Sequence, residues 1–186
     1  MDFKASLFQM FDLSDKQADL ILSKFRRERL EKNELYLEEG KKCEKMSFIQ
    51  AGYCRVFRQT PDKEVTQWIG GQGYFVTDLA SFLFDQEAKW SIDALTSVEL
   101  FTLNKKDYQT IEGEIPDWNI LEKRFIAKCF MVLEQRIFNF IALSAEERYR
   151  QYFEQQKDLF NQVPLQYIAS VLGMSPETLS RIRSKG

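Results

Sequence analysis

The sequence predicts an α+β fold, with helices at both ends of a strand-rich middle. Three observations carry this: helical spacing of apolar residues before Asn33, short aromatic and β-branched runs between Leu35 and about Lys105, and renewed helical periodicity after Pro116. At the N-terminal end, Leu7, Phe8, Phe11 and Leu13, then Ala18, Leu20, Ile21 and Phe25, read as two short helices ending before Asn33. Ser14-Asp15 offers a cap for the second. In the middle, turn formers stand at Glu39-Gly40, Ala51-Gly52, Thr60-Pro61-Asp62, Gly70-Gly71-Gln72-Gly73 and Asp85-Gln86. Short strands at such spacing suggest a β-sandwich or jelly roll. Cys54–Phe57 and Val65–Ile69, joined at Pro61-Asp62, read as a hairpin with Met46, Phe48 and Val56 among its core candidates. Trp90–Leu95 and Val98–Leu103 read as a second strand pair.

After Pro116 one long helix carries two apolar stripes. The first is Trp118, Leu121, Phe125, Cys129 and Val132; the second is Ile126, Phe130, Leu133, Ile137, Phe140 and Ile141. A helix apolar on two faces must be covered twice. The expectation is that the β domain covers one face and a second copy of the chain the other, with the coiled-coil-like first stripe as the dimer interface. Ser144-Ala145-Glu146-Glu147 starts another helix with acidic residues in its first turn, running to about Phe160. This order divides the chain into a strand-rich part at 1–115, a dimerisation helix at 116–143 and a helical part at 144–186.

Composition narrows the function. The 186 residues carry 26 Lys+Arg against 28 Asp+Glu, a formal net charge of −2, and no histidine at all. Without imidazole there is no Ser-His-Asp or Cys-His machinery and no histidine general base or ligand, which argues against a cupin-type enzyme and for a protein that is not an enzyme. Three scattered cysteines suit neither a disulfide framework nor a metal site, and point to a reducing, cytoplasmic setting without metal or cofactor. The expectation is also of no secretory signal and no membrane span. Near-neutral charge means that nucleic-acid binding must be argued from a local motif.

That motif is the tail, Pro164 to Arg183. Ala169 is small where two helices would cross, and Gly173 four residues later suits the left-handed residue that ends a helix. Ser175 is a good N-cap and Pro176 suits the first helical position. Ile168, Leu172, Leu179 and Ile182 would form the shared core. This is a helix-turn-helix pattern, whose second helix enters the DNA major groove. Glu177 and Arg181 share one face there: Arg can grip guanine and Glu can accept from cytosine. Thr178, Ser180, Arg183 and Lys185 suit phosphate contacts, and Gln166 and Ser175 complete the DNA-binding set.

In this order of parts, from about Leu7 to Lys185, the chain resembles the Crp/Fnr family of bacterial transcription regulators. The resemblance rests on Ile168-Ala169 through Gly173 to Thr178-Leu179-Ser180-Arg181-Ile182, and on the glycine turns Glu39-Gly40, Ala51-Gly52 and Asp62-Lys63-Glu64-Val65. It implies a cyclic nucleotide-binding-like β-roll sensor domain at 1–115, built as a double-stranded β-helix (jelly roll), a dimerisation helix at 116–143 and a C-terminal helix-turn-helix DNA-binding domain lacking a wing at 144–186. It implies double-stranded DNA and a second copy as partners, with RNA polymerase a further one. An effector at the β-roll would set the spacing of the two recognition helices. Cyclic-AMP binders of the family carry Gly-Glu and Arg-Ser pairs. Here Thr77-Asp78 and Ala88-Lys89 stand at those places, so the effector is expected not to be cyclic AMP. Trp68, Phe75 and Trp90, with Thr77, Asp78, Ala88 and Lys89, are the candidate effector pocket. From the short stretch before Pro164 and the residues after the second helix, the family's wing is expected to be missing. The alternative is a regulatory or scaffold dimer that does not bind DNA.

Overall fold

The computed structural model describes residues 3–11 and 13–184 and begins with α1 (Phe3–Met10) and α2 (Asp15–Ser23). Ser14 caps α2 by accepting from the Gln17 amide, while the Gln17 side chain accepts from the Ser14 amide at 2.9 Å. The first strand then comes earlier than the sequence suggests. Arg26–Leu30 forms β1 rather than a helical tail, because it pairs antiparallel with a strand far along the chain, from Leu30 opposite Val98 to Arg26 opposite Thr102. No local signal in Arg26-Arg27-Glu28-Arg29 announces that pairing.

The remaining strands are β2 (Leu35–Leu37), β3 (Lys45–Ala51), β4 (Cys54–Gln59), β5 (Glu64–Gly70), β6 (Phe75–Val76), β7 (Ser91–Ala94) and β8 (Val98–Asn104). A short helix, α3 (Leu79–Phe84), separates β6 from β7. The strands form two antiparallel four-stranded sheets. Sheet A has the order β1-β8-β3-β6 and sheet B the order β2-β7-β4-β5. This is the jelly-roll solution among the two the strand pattern left open. The β4–β5 hairpin is present, but Met46 and Phe48 belong to β3 in the opposite sheet. The expected pairing of β7 with β8 does not occur: β7 pairs with β2 and β4, β8 with β1 and β3. The turn between them crosses from one sheet to the other, as a roll requires.

Gly52 makes one of these crossings possible. Its φ is +84°, and a Cβ there would meet the Ser97 carbonyl oxygen at 2.3 Å. Between the sheets Leu37, Ile49, Cys54, Ile92, Val98 and Leu100 form the core. A polar chain crosses it, from the Tyr36 hydroxyl to Ser47 Oγ at 2.9 Å, on to Thr102 Oγ1 at 2.8 Å and then to Glu28. Burial pushes the Tyr36 hydroxyl well above its ordinary pKa.

Helices cover the outer side of both sheets. On sheet A lie α1, α2, α4 (Lys105–Glu114) and the start of α5 (Trp118–Ala142), around the rings of Phe3, Phe48, Phe75 and Phe101. On sheet B lie α6 (Ala145–Gln155), α7 (Leu159–Gln162), α8 (Leu165–Val171) and α9 (Pro176–Arg183). The helix begun at Ser144 therefore stops at Gln155, short of the expected Phe160, with α7 as a separate turn. Among the described residues after Leu143 there is no strand, and no helix is long and apolar enough to cross a membrane.

The chain buries the start of the first stripe of α5, expected to be the partner face, and leaves the second stripe open. Trp118 and Leu121 are buried in the chain's own core, and Phe125 stacks on Phe11 at 5.2 Å and meets Phe75 edge-on at 5.4 Å. Cys129 is half-buried, and of the first stripe only Val132 is open. The second stripe faces outward, with Phe130 63% and Ile137 53% exposed, and Ile126, Leu133, Phe140 and Ile141 alongside. Both stripes have a helical repeat; only the packing of α1 and sheet A decided which one the chain covers itself.

Candidate nucleic-acid interface and effector region

The helix-turn-helix closes as its residues demand. Gly173 takes φ +66°; the Met174 amide donates to the Ala169 carbonyl and the Gly173 amide to the Ser170 carbonyl, both at 3.0 Å. These are the two bonds of a glycine-ended helix. Ser175 then starts α9 by accepting from the Thr178 amide, with Pro176 at its first position. Ile168, Ala169, Leu172 and Leu179 are buried together, while Ile182 is only half-buried.

Two arginines from other helices satisfy the end of α8. Arg136 of α5 donates to the Val171 carbonyl at 3.1 Å, and Arg148 of α6 donates to the Leu172 carbonyl at 3.1 Å and to Leu143 at 2.8 Å. Carbonyls at a helix C-terminus lack intrahelical donors, so these contacts tie α8 to both α5 and α6. Burial holds the Arg136 guanidinium below its ordinary pKa. Phe140 fills the angle between these arginines and the turn. Its ring lies 5.0 Å from the Arg148 guanidinium, and a Cβ on Gly173 would sit 2.6 Å from it. Gly173→Ala therefore combines a left-handed backbone with a ring clash, and is expected to cost about 1–3 kcal/mol in thermal unfolding. Gly173→Asn, which tolerates the backbone but not the clash, should recover only part of it.

The outer face of α9 is open. Ser175, Glu177, Ser180, Arg181 and Arg183 are exposed, as is Gln166 on α8, and Thr178 is half-buried. Glu177 and Arg181 stand one turn apart on the same side. A hydrogen bond from Ser175 holds the Glu177 carboxyl below its usual range. Lys185, placed with these residues by the sequence, lies outside the described residues.

The candidate effector residues do not form one pocket. Phe75 sits in the ring cluster outside sheet A, against Phe48 and Phe125. Trp68 lies on the far side of the roll, 5.5 Å under the Arg136 guanidinium and edge-on to Tyr74. Thr77 Oγ1 donates to the Lys45 carbonyl at 3.1 Å. Asp78 caps α3: one carboxylate oxygen accepts from the Ser81 amide and the other from the Lys89 amide, each at 3.0 Å. Both oxygens thus hold backbone. Ala88 is buried and bonded through its amide and carbonyl to Lys41 and Gly40, while the Lys89 side chain is exposed and Trp90 half-buried. An apolar recess lies instead between α1, α2, α3 and α5, lined by Leu7, Phe11, Phe75, Leu79, Leu83 and Phe125 among others. It is partly open to the surface and offers about 30 Å³, room for only one or two water molecules.

The sequence reading missed Arg55, Arg136 and Arg148. Arg55 is 4% exposed on β4, bonded to Asp93 of β7 and Glu64 of β5. A charged residue in an apolar strand was the available signal, but its partners are not sequence neighbours.

Comparison with known proteins agrees with this architecture. Residues 27–112 match the family model for the cyclic nucleotide-binding domain. No curated protein matches the chain in sequence. Among solved structures, the Thermus thermophilus catabolite activator protein superposes with a TM-score of 0.61 at 23% identity, covering 97% of this chain and 85% of its own. The c-di-GMP responsive global regulator CLP of Xanthomonas campestris gives 0.70 at 15% identity, over 92% of this chain and 91% of its own. FixK2 from Bradyrhizobium japonicum gives 0.71 at 15%, over 87% and 83%. The fold is thus that of catabolite activator-like regulators: a roll of the cyclic nucleotide-binding type, a long helix and C-terminal helices.

Proposed function

We propose that this chain is a homodimeric DNA-binding transcription regulator of the Crp/Fnr type. The observation that carries the reading is the closed α8–Gly173–α9 motif with Glu177, Ser180 and Arg181 left open on one side. A bare helical hairpin needs no such exposed, base-matching face. A regulator fold around it adds support, since the fold alone does not assign function. The second copy belongs on the outward stripe of α5. Ile126, Phe130, Leu133 and Ile137 repeat at alternating intervals of four and three, the spacing of a two-helix seam. Two α9 helices would then read half-sites about one DNA turn apart.

Selection from a random duplex pool, followed by gel shift at stated salt, tests the DNA reading. The expected result is enrichment of an inverted repeat. No binding to any duplex leaves the regulatory or scaffold dimer, and equal affinity for every duplex removes sequence reading from α9.

The effector, in this reading, is not a cyclic nucleotide. Asp78 is already engaged by two backbone amides, and Ala88 stands where the family's nucleotide binders carry an arginine. Millimolar cyclic AMP or cyclic GMP is therefore expected to leave the melting temperature unchanged. Binding at ~10 μM would add about 2.7 kcal/mol at a hundredfold excess, a shift no thermal assay would miss.

A further inference from the structure

We infer that Arg55, on the outer face of sheet B, is a positioning residue for α8 and α9. It latches the helix-turn-helix to the β-roll and so sets where the recognition helix points. Its consequence for DNA rests on the function proposed above; the latch itself does not.

The argument starts from the cost of burying a guanidinium, which must be repaid by pairing. Within the roll two carboxylates face the Arg55 guanidinium and accept from three of its five N–H groups. Asp93, directly opposite on β7, accepts at both oxygens, from Nε at 3.0 Å and Nη2 at 2.6 Å, and Glu64 on β5 accepts from Nη1. Burial opposes the charge, but Asp93 and then Glu64 outweigh it and hold the group above its ordinary pKa. The flat guanidinium is thereby fixed in orientation, and two rings lie against it. Phe57 belongs to the same strand, with its centroid 3.9 Å away; Tyr167 belongs to α8 and lies 4.0 Å away. The Tyr167 contact crosses from the roll to the helix-turn-helix.

One turn further along the same face of α8 a second bond crosses. The Thr66 amide, on the outer strand of sheet B, donates to Ser170 Oγ at 2.8 Å. Ile69 and Leu95 of the roll share a buried cluster with Ile168 and Val171 around these polar contacts. The face used for docking leaves Arg181 exposed, so the latch orients α9 without covering it. A dimer that must place two helices at a fixed separation gains affinity from such preorganisation.

Hydrogen exchange of the Thr66 amide reads the latch directly. Tyr167→Leu removes the ring and leaves the ion cluster intact; Tyr167→Phe keeps the ring. Tyr167→Leu is expected to speed exchange at Thr66 and in α8 about tenfold, with β3 and β8 unchanged and Tyr167→Phe like wild type. Arg55→Met should act as Tyr167→Leu does, but it strands two carboxylates and can unfold the roll, so the tyrosine pair decides. Wild-type protection of Thr66 in Tyr167→Leu overturns the inference, as does Tyr167→Phe exchanging as fast as Tyr167→Leu. On DNA, Tyr167→Leu should keep single half-site binding while losing the preference for correctly spaced half-sites. An equal loss on every duplex overturns the positioning role. If the exchange pattern holds and the wild type binds no DNA, the latch stands and the DNA reading falls.

Discussion

Phe130→Glu and Ile137→Glu are each expected to turn a dimer into a monomer at micromolar concentration, with the fold retained. Both residues lie on the open face of α5, 63% and 53% exposed, so neither change opens a cavity in the chain's own core. In the proposed seam each would place a carboxylate between apolar partners, twice per dimer. Desolvating those charges costs several kcal/mol, and ~4 kcal/mol is already about a thousandfold in the dissociation constant. Sedimentation velocity over a concentration series reads this directly. Phe125→Ala is the informative contrast. Its ring packs on Phe11 and Phe75, so the expected loss is about 3–5 kcal/mol of folding stability, with no specific change in dimer affinity. A wild type that sediments as a monomer, or a Phe130→Glu that stays dimeric, would place the second copy elsewhere or remove it.

Arg181→Ala should cost about 1–3 kcal/mol per half-site and relax the preference at a single base pair, as loss of a two-pronged guanine contact does. In a dimer the loss counts twice, which makes it the largest expected single-residue effect on DNA binding. Arg183→Ala, one turn beyond Leu179 and exposed, should weaken all sequences alike and lower the salt slope by about one unit. Fluorescence anisotropy on the selected site and on a scrambled duplex, at several salt concentrations, separates the two. Equal losses on both duplexes for Arg181→Ala would make it a phosphate anchor and remove base reading from this face.

Much of the architecture can be read from local chemistry. Ser14, Ser144 and Ser175 each sit before a helix and each caps it, the first two with reciprocal bonds from Gln17 and Glu147. Gly173 takes the backbone that only a glycine adopts without cost. The β4–β5 hairpin follows from its turn and its two flanking runs. Errors begin where two readings are locally equivalent. Arg26–Leu30 has too few apolar residues to choose between helix and strand, and β8 chose for it. The strands β7 and β8 are adjacent in sequence and far apart in pairing, because the turn at Thr96-Ser97 crosses between sheets.

The candidate site divides in the same way. The exposed face of α9 was predictable because capping and helical spacing place Glu177 and Arg181 without reference to anything else in the chain. The effector region was not, since its residues were grouped by position along a motif, whereas the roll sends Trp68 to one side and Phe75 to the other. Asp78 keeps its place but gives its oxygens to backbone amides, a use that nothing in the sequence distinguishes from ligand binding.

By itself, then, the sequence determined the elements whose cause is within a few residues: the helix starts, the Gly173 turn, the hairpin, and the two apolar stripes of α5. Tertiary structure alone decided which stripe faces outward, because both satisfy the same repeat and only the fit against Phe11 and Phe75 tells them apart. It also decided that Arg55 and Tyr167, 112 positions apart, share one contact. A charge buried in a strand must find its partners wherever the chain returns, and that return is a property of the whole fold rather than of any segment.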